Sequence, residues 1–407
     1  MHLLMVSAYP PDLGSTAGER NYHFLKALAR QHTVSLLSLV DGAEVEAHGG
    51  RLPVEDFAYP VQLIPRKIPH FKRLQQLLSI ARGRSYSLHM FALKEMQAAL
   101  DTMLVRDNYD AVFFESALIA GYRLPTGVQV IIDQHNIEHE LLQLTYEREK
   151  RWLRKWYNWY EYRLVKPVEI ERCRKADLVL VTTERERLLL KQLLPEALIE
   201  AVRTGIDIGA YGNISSVQEV PHQIVFTGTM DYYPNTNAVL SFAQQCWPLI
   251  RARVPDANWQ IVGRNPPPEV QRLAELPGVT VTGSVPDVRP YLAASAVAIA
   301  PLQIGSGTRV KILEAFAMRK AVVSTSVGYQ GIAIESGKHL LIADHPEKFA
   351  DAVVKLLHNP SARIALGNAG RALVEAEYSW EQAGNQLLRV IDDSNVGYKN
   401  KTAVKNH

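Results

Sequence analysis

Short, nearly continuous apolar runs, each followed by an amphipathic stretch, recur along this chain and restrict its fold more than any other feature. The runs cover residues 2–7, 33–39, 110–114, 128–133, 177–181, 223–227, 259–263, 279–283, 297–301 and 321–325. A strand that is apolar on both sides belongs to a sheet covered on both faces. Parallel strands also need crossover connections, which the amphipathic stretches supply. Residues 18–31 show the helical half of the unit, with Tyr22, Leu25, Leu28 and Ala29 at the spacing of one buried face. The expected class is α/β with parallel sheets. The chain has 407 residues, too many for one ordinary core. At about 150 residues per domain it makes two or three domains. The clearest boundary is GIDIGAYGNISSVQEVP at 205–221, rich in Gly, Ser and Asn and followed at once by a fresh apolar run. The expected organisation is a first domain over 1–205, a linker over 206–221, a second domain over 222–377, a last helix over 378–395 and a polar tail over 396–407.

Charge and cysteine usage exclude several classes. Lys plus Arg number 45 against 42 Asp plus Glu, a net +3, which is not the footprint of a nucleic-acid binder. The two cysteines, Cys173 and Cys246, lie far apart, which excludes a disulfide scaffold and a CxxC zinc site. The opening MHLLMVSAYPPD is short, lacks a basic segment and ends in prolines, so it reads as a first buried strand and not as a signal peptide. No run reaches the ~20 apolar residues of a spanning helix. A cytoplasmic protein, at most peripheral at the inner face of the plasma membrane, is expected.

Two stretches break the rhythm. One carries Arg66, Lys67, His70, Phe71, Lys72 and Arg73. The other, 146–175, places Trp152, Trp156 and Trp159 at helical spacing among Arg148, Arg151, Arg154, Lys155 and Arg163. A basic helix with tryptophan on one side suits an anionic membrane surface. The interspersed Glu147, Glu149 and Glu161 equally suit a helix that buries its tryptophans against a neighbour and solvates its charges.

The most informative chemistry lies in PLQIGSGTRVKILEAFAMRKAVVSTS, residues 301–326. An apolar strand ends, a loop of Gly305, Ser306, Gly307 and Thr308 follows, and a helix starts near Arg309. Glycines admit a ligand close to the backbone, and a helix N-terminus favours an anion. Arg309 and Lys311 in the first turn oppose the helix dipole, which a bound anion would explain. A plain strand-to-helix turn with surface charges is the alternative. Glu314, one turn beyond Lys311, can accept two ribose hydroxyls. The loop is not a Walker motif, since GxxxxGK[ST] is absent. It is not a dinucleotide fingerprint either, since Val310 replaces the third glycine. In the first half, Asp133, Gln134, His135 and Asn136 follow a strand, and strand C-terminal ends are where open α/β sheets bind ligands.

The run PLxxGxGTRVKILEAFAxxKAVVSTxVG resembles the donor-binding signature of retaining glycosyltransferases of the GT-B fold, family four. Phe226 to Met230, Gly283 to Asp287, and Tyr378-Ser379-Trp380 before a last helix resemble it too. In finer detail the chain resembles bacterial sugar transferases of exopolysaccharide clusters. The resemblance implies a GT-B architecture, with two Rossmann-like parallel-sheet domains facing a cleft and a C-terminal helix crossing back to the first. It implies a nucleoside diphosphate sugar donor, a glycan or lipid-linked saccharide acceptor, retention at the anomeric carbon, and no obligatory metal, as no D-x-D triplet occurs. Donor contacts fall on Gly14, Gly228, Val285, Gly305, Ser306, Gly307, Thr308, Arg309, Lys311 and Glu314. His135, Arg309 and Lys311 are the catalytic candidates, and Glu115 and Arg20 the acceptor-side ones. Glu314 matches the second glutamate of the family's E-x7-E element, and Ser306 stands at the place of the first. Asn235 and Thr229 stand where many members carry basic residues. Two alternatives stay open: a degenerate, non-catalytic scaffold in polysaccharide assembly, and a nucleotide-sugar epimerase.

Overall fold

The computed structural model describes residues 1–12, 16–40, 54–66, 72–149, 151–212 and 217–405. It divides into two compact units: Met1–Thr204 with Glu381–His407, and Gly205–Trp380. Each is a parallel α/β unit, as the apolar runs require.

The first unit holds a seven-stranded sheet in the order β3-β2-β1-β4-β5-β6-β7. Its strands are β1 (His2–Ser7), β2 (Thr33–Val40), β3 (Val61–Pro65), β4 (Ala111–Phe114), β5 (Gln129–Gln134), β6 (Leu178–Val181) and β7 (Ile199–Ala201). Every pairing is parallel. The order reverses between β1 and β4, so loops leaving these two strands diverge and open a crevice at their C-terminal ends. The Trp380–Lys405 helix belongs to this unit. Gln386 Nε2 donates to Ala201 O (2.7 Å), and Gln129 Nε2 to Ser394 Oγ (3.1 Å). Residues 396–405 of the polar tail continue this helix, because extending a formed helix costs far less than nucleating one.

The second unit holds six parallel strands in the order β10-β9-β8-β11-β12-β13. They are β8 (Gln223–Thr227), β9 (Asn258–Val262), β10 (Val279–Gly283), β11 (Val297–Ala300), β12 (Ala321–Ser324) and β13 (Leu341–Ile342). Alternate side chains supply two cores. Ile224, Phe226, Val297 and Ile299 join one cluster, and Val225, Ala298 and Ala300 join the cluster on the opposite face. This is the period-two geometry of a strand buried on both sides. The order reverses between β8 and β11.

The expected linker over 206–221 is anchored at its start. Ile206 is a core residue of the second unit, and its N–H donates to Tyr378 O (2.8 Å). Its polar composition conceals this anchoring because main-chain hydrogen bonds carry it.

Candidate active site

The second unit gathers its chemistry at the ends of β8 and β11. Gly228, directly after β8, has φ +151°. A side chain there would meet Asn235 Nδ2 at 2.7 Å and Lys311 Nζ at 2.9 Å. The dihedral favours glycine, and any side chain would also have to displace the Asn235 amide or the Lys311 ammonium. After β11 the chain runs through Gly305 (φ +156°) and Gly307 (φ +75°) into the Val310–Ala317 helix, with Arg309 as its N-cap.

Arg309 is buried and turns back on this loop. Its Nη1 donates to the carbonyls of Ser306 and Gly307, and its guanidinium lies where a Gly305 side chain would sit. It shapes the loop first and adds positive field second. Ser306 is buried and takes part through its carbonyl. Thr308 Oγ1 is a buried hydroxyl with no hydrogen-bond partner among the described residues.

Lys311 sits in the first helical turn, with Nζ 2.7 Å from Asn235 Oδ1 and 3.8 Å from the centroid of the Phe226 ring. Burial drives its ammonium down to about 7, against an opposing pull from Glu314 and with a further push from Arg309. Glu314 is pushed up by burial, partly offset by a hydrogen bond donated from the Tyr211 hydroxyl to its Oε1 (2.9 Å). Asn235, Lys311, Glu314 and Tyr211 thus form a polar strip beside the glycine loop. Val285, after β10, packs half-buried against the adjoining core.

In the first unit, β4 and β5 deliver Glu115 and His135 at their C-terminal ends. Glu115 is buried, and its Oε2 accepts from the N–H groups of Ala8 (2.6 Å) and Tyr9 (3.1 Å), directly after β1. Burial pushes its carboxyl up. The His135 ring lies between two carboxylates, with Nε2 3.2 Å from Asp133 Oδ2 and Nδ1 3.9 Å from Glu115 Oε1. Glu169 fixes the next turn, accepting from the N–H groups of Glu138 (2.9 Å) and His139 (2.8 Å).

Two domain families match this architecture. "Glycosyltransferase Family 4" covers residues 17–209, and "Glycosyl transferases group 1" covers 221–359. The chain belongs to the GT-B glycosyltransferases. A GDP-mannose-dependent monoacylated alpha-(1-6)-phosphatidylinositol monomannoside mannosyltransferase of Corynebacterium glutamicum is 33% identical over 86 residues. That match covers 21% of this chain and 23% of the relative, so it spans about a quarter of that protein's length. Among solved structures, the sucrose-phosphate synthase of Thermosynechococcus elongatus superposes with TM-score 0.71 at 16% identity, covering 97% of this chain and 98% of that one. The Anabaena protein HepE, in complex with UDP, gives 0.66 at 14% identity, covering 97% and 100%. At these identities the likeness concerns the fold.

Within this GT-B chain, the second unit brings Gly228, Gly305, Ser306, Gly307, Thr308, Arg309, Lys311 and Glu314 to one end of its sheet. Gly14 lies outside the described residues. Arg20, expected as an acceptor-side cation, is instead interior. It is 1% exposed, and its guanidinium is engaged by Asp133, Thr204 and the carbonyl of Val202. A buried guanidinium needs this many acceptors, which removes it from the surface. Sequence reasoning missed Tyr211, which sits in the stretch taken as a linker. It also assigned no role to Asp133, although the i, i+2 spacing with His135 along a strand signals a shared face.

The Trp152–Lys175 helix has two halves. Glu161, Val165, Glu169 and Cys173, four apart, face inward. Trp152, Trp156 and Trp159 are 76%, 46% and 40% exposed, so among the described residues none of the three is fully covered by a neighbour. Leu74 and Leu77, on the Lys72–Ala81 helix, are also exposed. Among the described residues no helix is long and apolar enough to cross a membrane.

Proposed function

We propose that this chain transfers a sugar from a nucleoside diphosphate sugar to an acceptor hydroxyl with retention at the anomeric carbon. The observation that carries the reading is the strip beside the glycine loop. The Gly305–Gly307 turn leads into a helix N-terminus, Lys311 stands in its first turn beside Asn235, and Glu314 follows one turn later, held by Tyr211. Backbone N–H groups and Lys311 suit a diphosphate, and a carboxylate suits two ribose hydroxyls. As the donor bond breaks, charge grows on the leaving diphosphate. Lys311 and the helix N-terminus stabilise it where it develops, and Arg309 holds the loop in shape. The positive charge comes from side chains, so the proposed transfer needs no divalent metal. His135 is the proposed catalytic side chain of the first unit, whereas Glu115, 2% exposed and held by the N–H groups of Ala8 and Tyr9, is interior as Arg20 is and leaves the acceptor-side set. Following the anomeric proton of product by NMR, with purified protein and a series of nucleotide sugars, tests this. A first product of the donor's own configuration supports retention, and the opposite configuration overturns it.

The acceptor we propose is a glycan or lipid-linked saccharide in synthesis of exopolysaccharide or another cell-surface glycan, met at the inner face of the plasma membrane. The exposed Trp152, Trp156 and Trp159, flanked by Arg151, Arg154, Lys155 and Arg163, support a docking face for anionic lipid. Co-sedimentation with vesicles containing phosphatidylglycerol is expected. It should weaken with salt and fall sharply when the three tryptophans become serine. Binding indifferent to those substitutions would remove the face from the account.

A further inference from the structure

Glu314 is oriented by a residue outside its own helix. Its Oε1 accepts from the Tyr211 hydroxyl at 2.9 Å. Its Oε2 accepts from no described group and is not among the sealed atoms left without a partner, so that oxygen is open to a ligand. Tyr211 stands on a short turn that is pinned at several points. Arg289 Nη1 donates to Ala210 O (2.6 Å), while its Nε forks onto the two Asp287 oxygens (2.9 and 3.0 Å). Ala210 N donates to Asp207 Oδ1 (3.0 Å). Arg371 Nη1 reaches Ile208 O (3.5 Å) and also Ala317 O (2.6 Å), at the last residue of the Glu314 helix. The Tyr211 ring and Val285 pack partly buried against the same core. Packing accounts for the ring but makes no use of the hydroxyl. The hydroxyl's bond to Glu314 favours the ionised carboxyl against the push of burial, and it removes the freedom of a long side chain to turn its carboxylate.

We propose that Tyr211 is a positioning residue for nucleoside recognition. It fixes the Glu314 carboxylate with Oε2 toward the ligand, and so lets the site separate ribonucleotides from deoxyribonucleotides. A carboxylate already held in one orientation gains a hydroxyl at full strength, whereas a mobile one must first lose its freedom. Arg289 joins the turn bearing Tyr211 to Asp287, which follows Val285 in the loop after β10. The turn and that loop therefore form one braced frame beside Glu314. As a statement about ribose, the proposal rests on the reading of Glu314 as the ribose ligand. As a statement about the carboxylate, it stands alone.

The test measures binding of UDP and GDP, each beside its 2′-deoxy and 3′-deoxy counterparts, by calorimetry on the whole protein. The parent is expected to hold one ribonucleotide at least about tenfold tighter than one of its deoxy forms, the scale of a hydrogen bond to a charged group. Tyr211→Phe keeps the packed ring and should fold as the parent does. It should cut that ratio at least about fivefold while affinity for the deoxy form stays within about twofold, because only the hydroxyl contact is weakened. Glu314→Gln should also lower the ratio, and the double variant should lose less than the sum of the two, since both act through one contact. In the ligand-free protein labelled with 13C-glutamate, with Glu314 assigned by comparison with Glu314→Gln, the Glu314 carboxyl should titrate higher in Tyr211→Phe than in the parent. An unchanged ratio, equal losses for ribose and deoxy forms, or additive effects would overturn the proposal. If neither nucleotide binds the parent, the ribose reading fails and takes the selectivity with it. The carboxyl titration then still decides the positioning, and a Glu314 signal unmoved by Tyr211→Phe would overturn that too.

Discussion

Replacing Lys311 with methionine is expected to weaken binding of the donor nucleotide sugar by about 1.5–3 kcal/mol at pH 6, the range of a charge-assisted hydrogen bond. The effect should depend on pH in a specific direction. In the ligand-free protein, burial holds the Lys311 ammonium at about 7. Below that pH the side chain is already charged and meets the diphosphate directly. Above it, binding must first take up a proton, so affinity should fall by up to about tenfold per pH unit until the pKa of the bound state is reached. A nucleotide sugar is the right probe, since its diphosphate is esterified at both ends and does not itself titrate near neutrality. Lys311→Met should flatten this dependence as well as weaken binding.

Stability should move the other way. The folded state binds fewer protons than the unfolded chain between pH 7 and the ordinary lysine value of 10.5, so folding stability rises with pH across that window. The cost of the buried charge is felt in full below pH 7. The ligand-free methionine variant should therefore melt above the parent at pH 6, with the gap narrowing toward pH 10. Calorimetric titration and melting curves over that range check both halves. Equal donor affinity in parent and variant at pH 6 would take Lys311 out of the site.

His135→Ala is expected to lower turnover by about a hundredfold or more, the usual scale for a placed imidazole at a reacting centre, with donor affinity within about threefold of the parent. The expectation follows from its setting. The ring stands at the end of β5 between Asp133 and Glu115 (3.2 and 3.9 Å), a constraint that ordinary packing does not require. Steady-state kinetics with separately measured donor affinity checks it. A large loss of affinity with normal turnover would make His135 a binding residue.

The inner strands were legible because their apolar runs are long enough to exclude a solvated face. Of the edge strands, β10 was legible from its run at 279–283, whereas β3, β7 and β13 were not. Their residues are mostly half-buried or exposed, so the apolar signal that marks an inner strand is diluted. The glycine loop, Lys311 and Glu314 were legible because a strand end, two glycines and a charged helix start stand in sequence. Tyr211 was not, because it reaches Glu314 across a separation of 103 residues that no local pattern encodes. Arg20 carried the opposite error. A charged residue near a strand end reads as surface chemistry, yet this one is interior, and only its partners reveal that. The tryptophans of the Trp152–Lys175 helix were ambiguous because a helical stripe has the same spacing whether it is buried or exposed.

The central claim is that the second unit holds a nucleoside diphosphate sugar at the glycine loop and Glu314. The most direct test is thermal melting of the purified protein, in chelator, across a series of nucleoside diphosphates and their sugars. A ligand bound only by the folded state adds about 2.7 kcal/mol at a hundred times its dissociation constant. The account predicts a rise in melting temperature selective for one base, diminished by Lys311→Met and by Glu314→Ala. No rise with any nucleotide, at concentrations that saturate a control transferase, would contradict it.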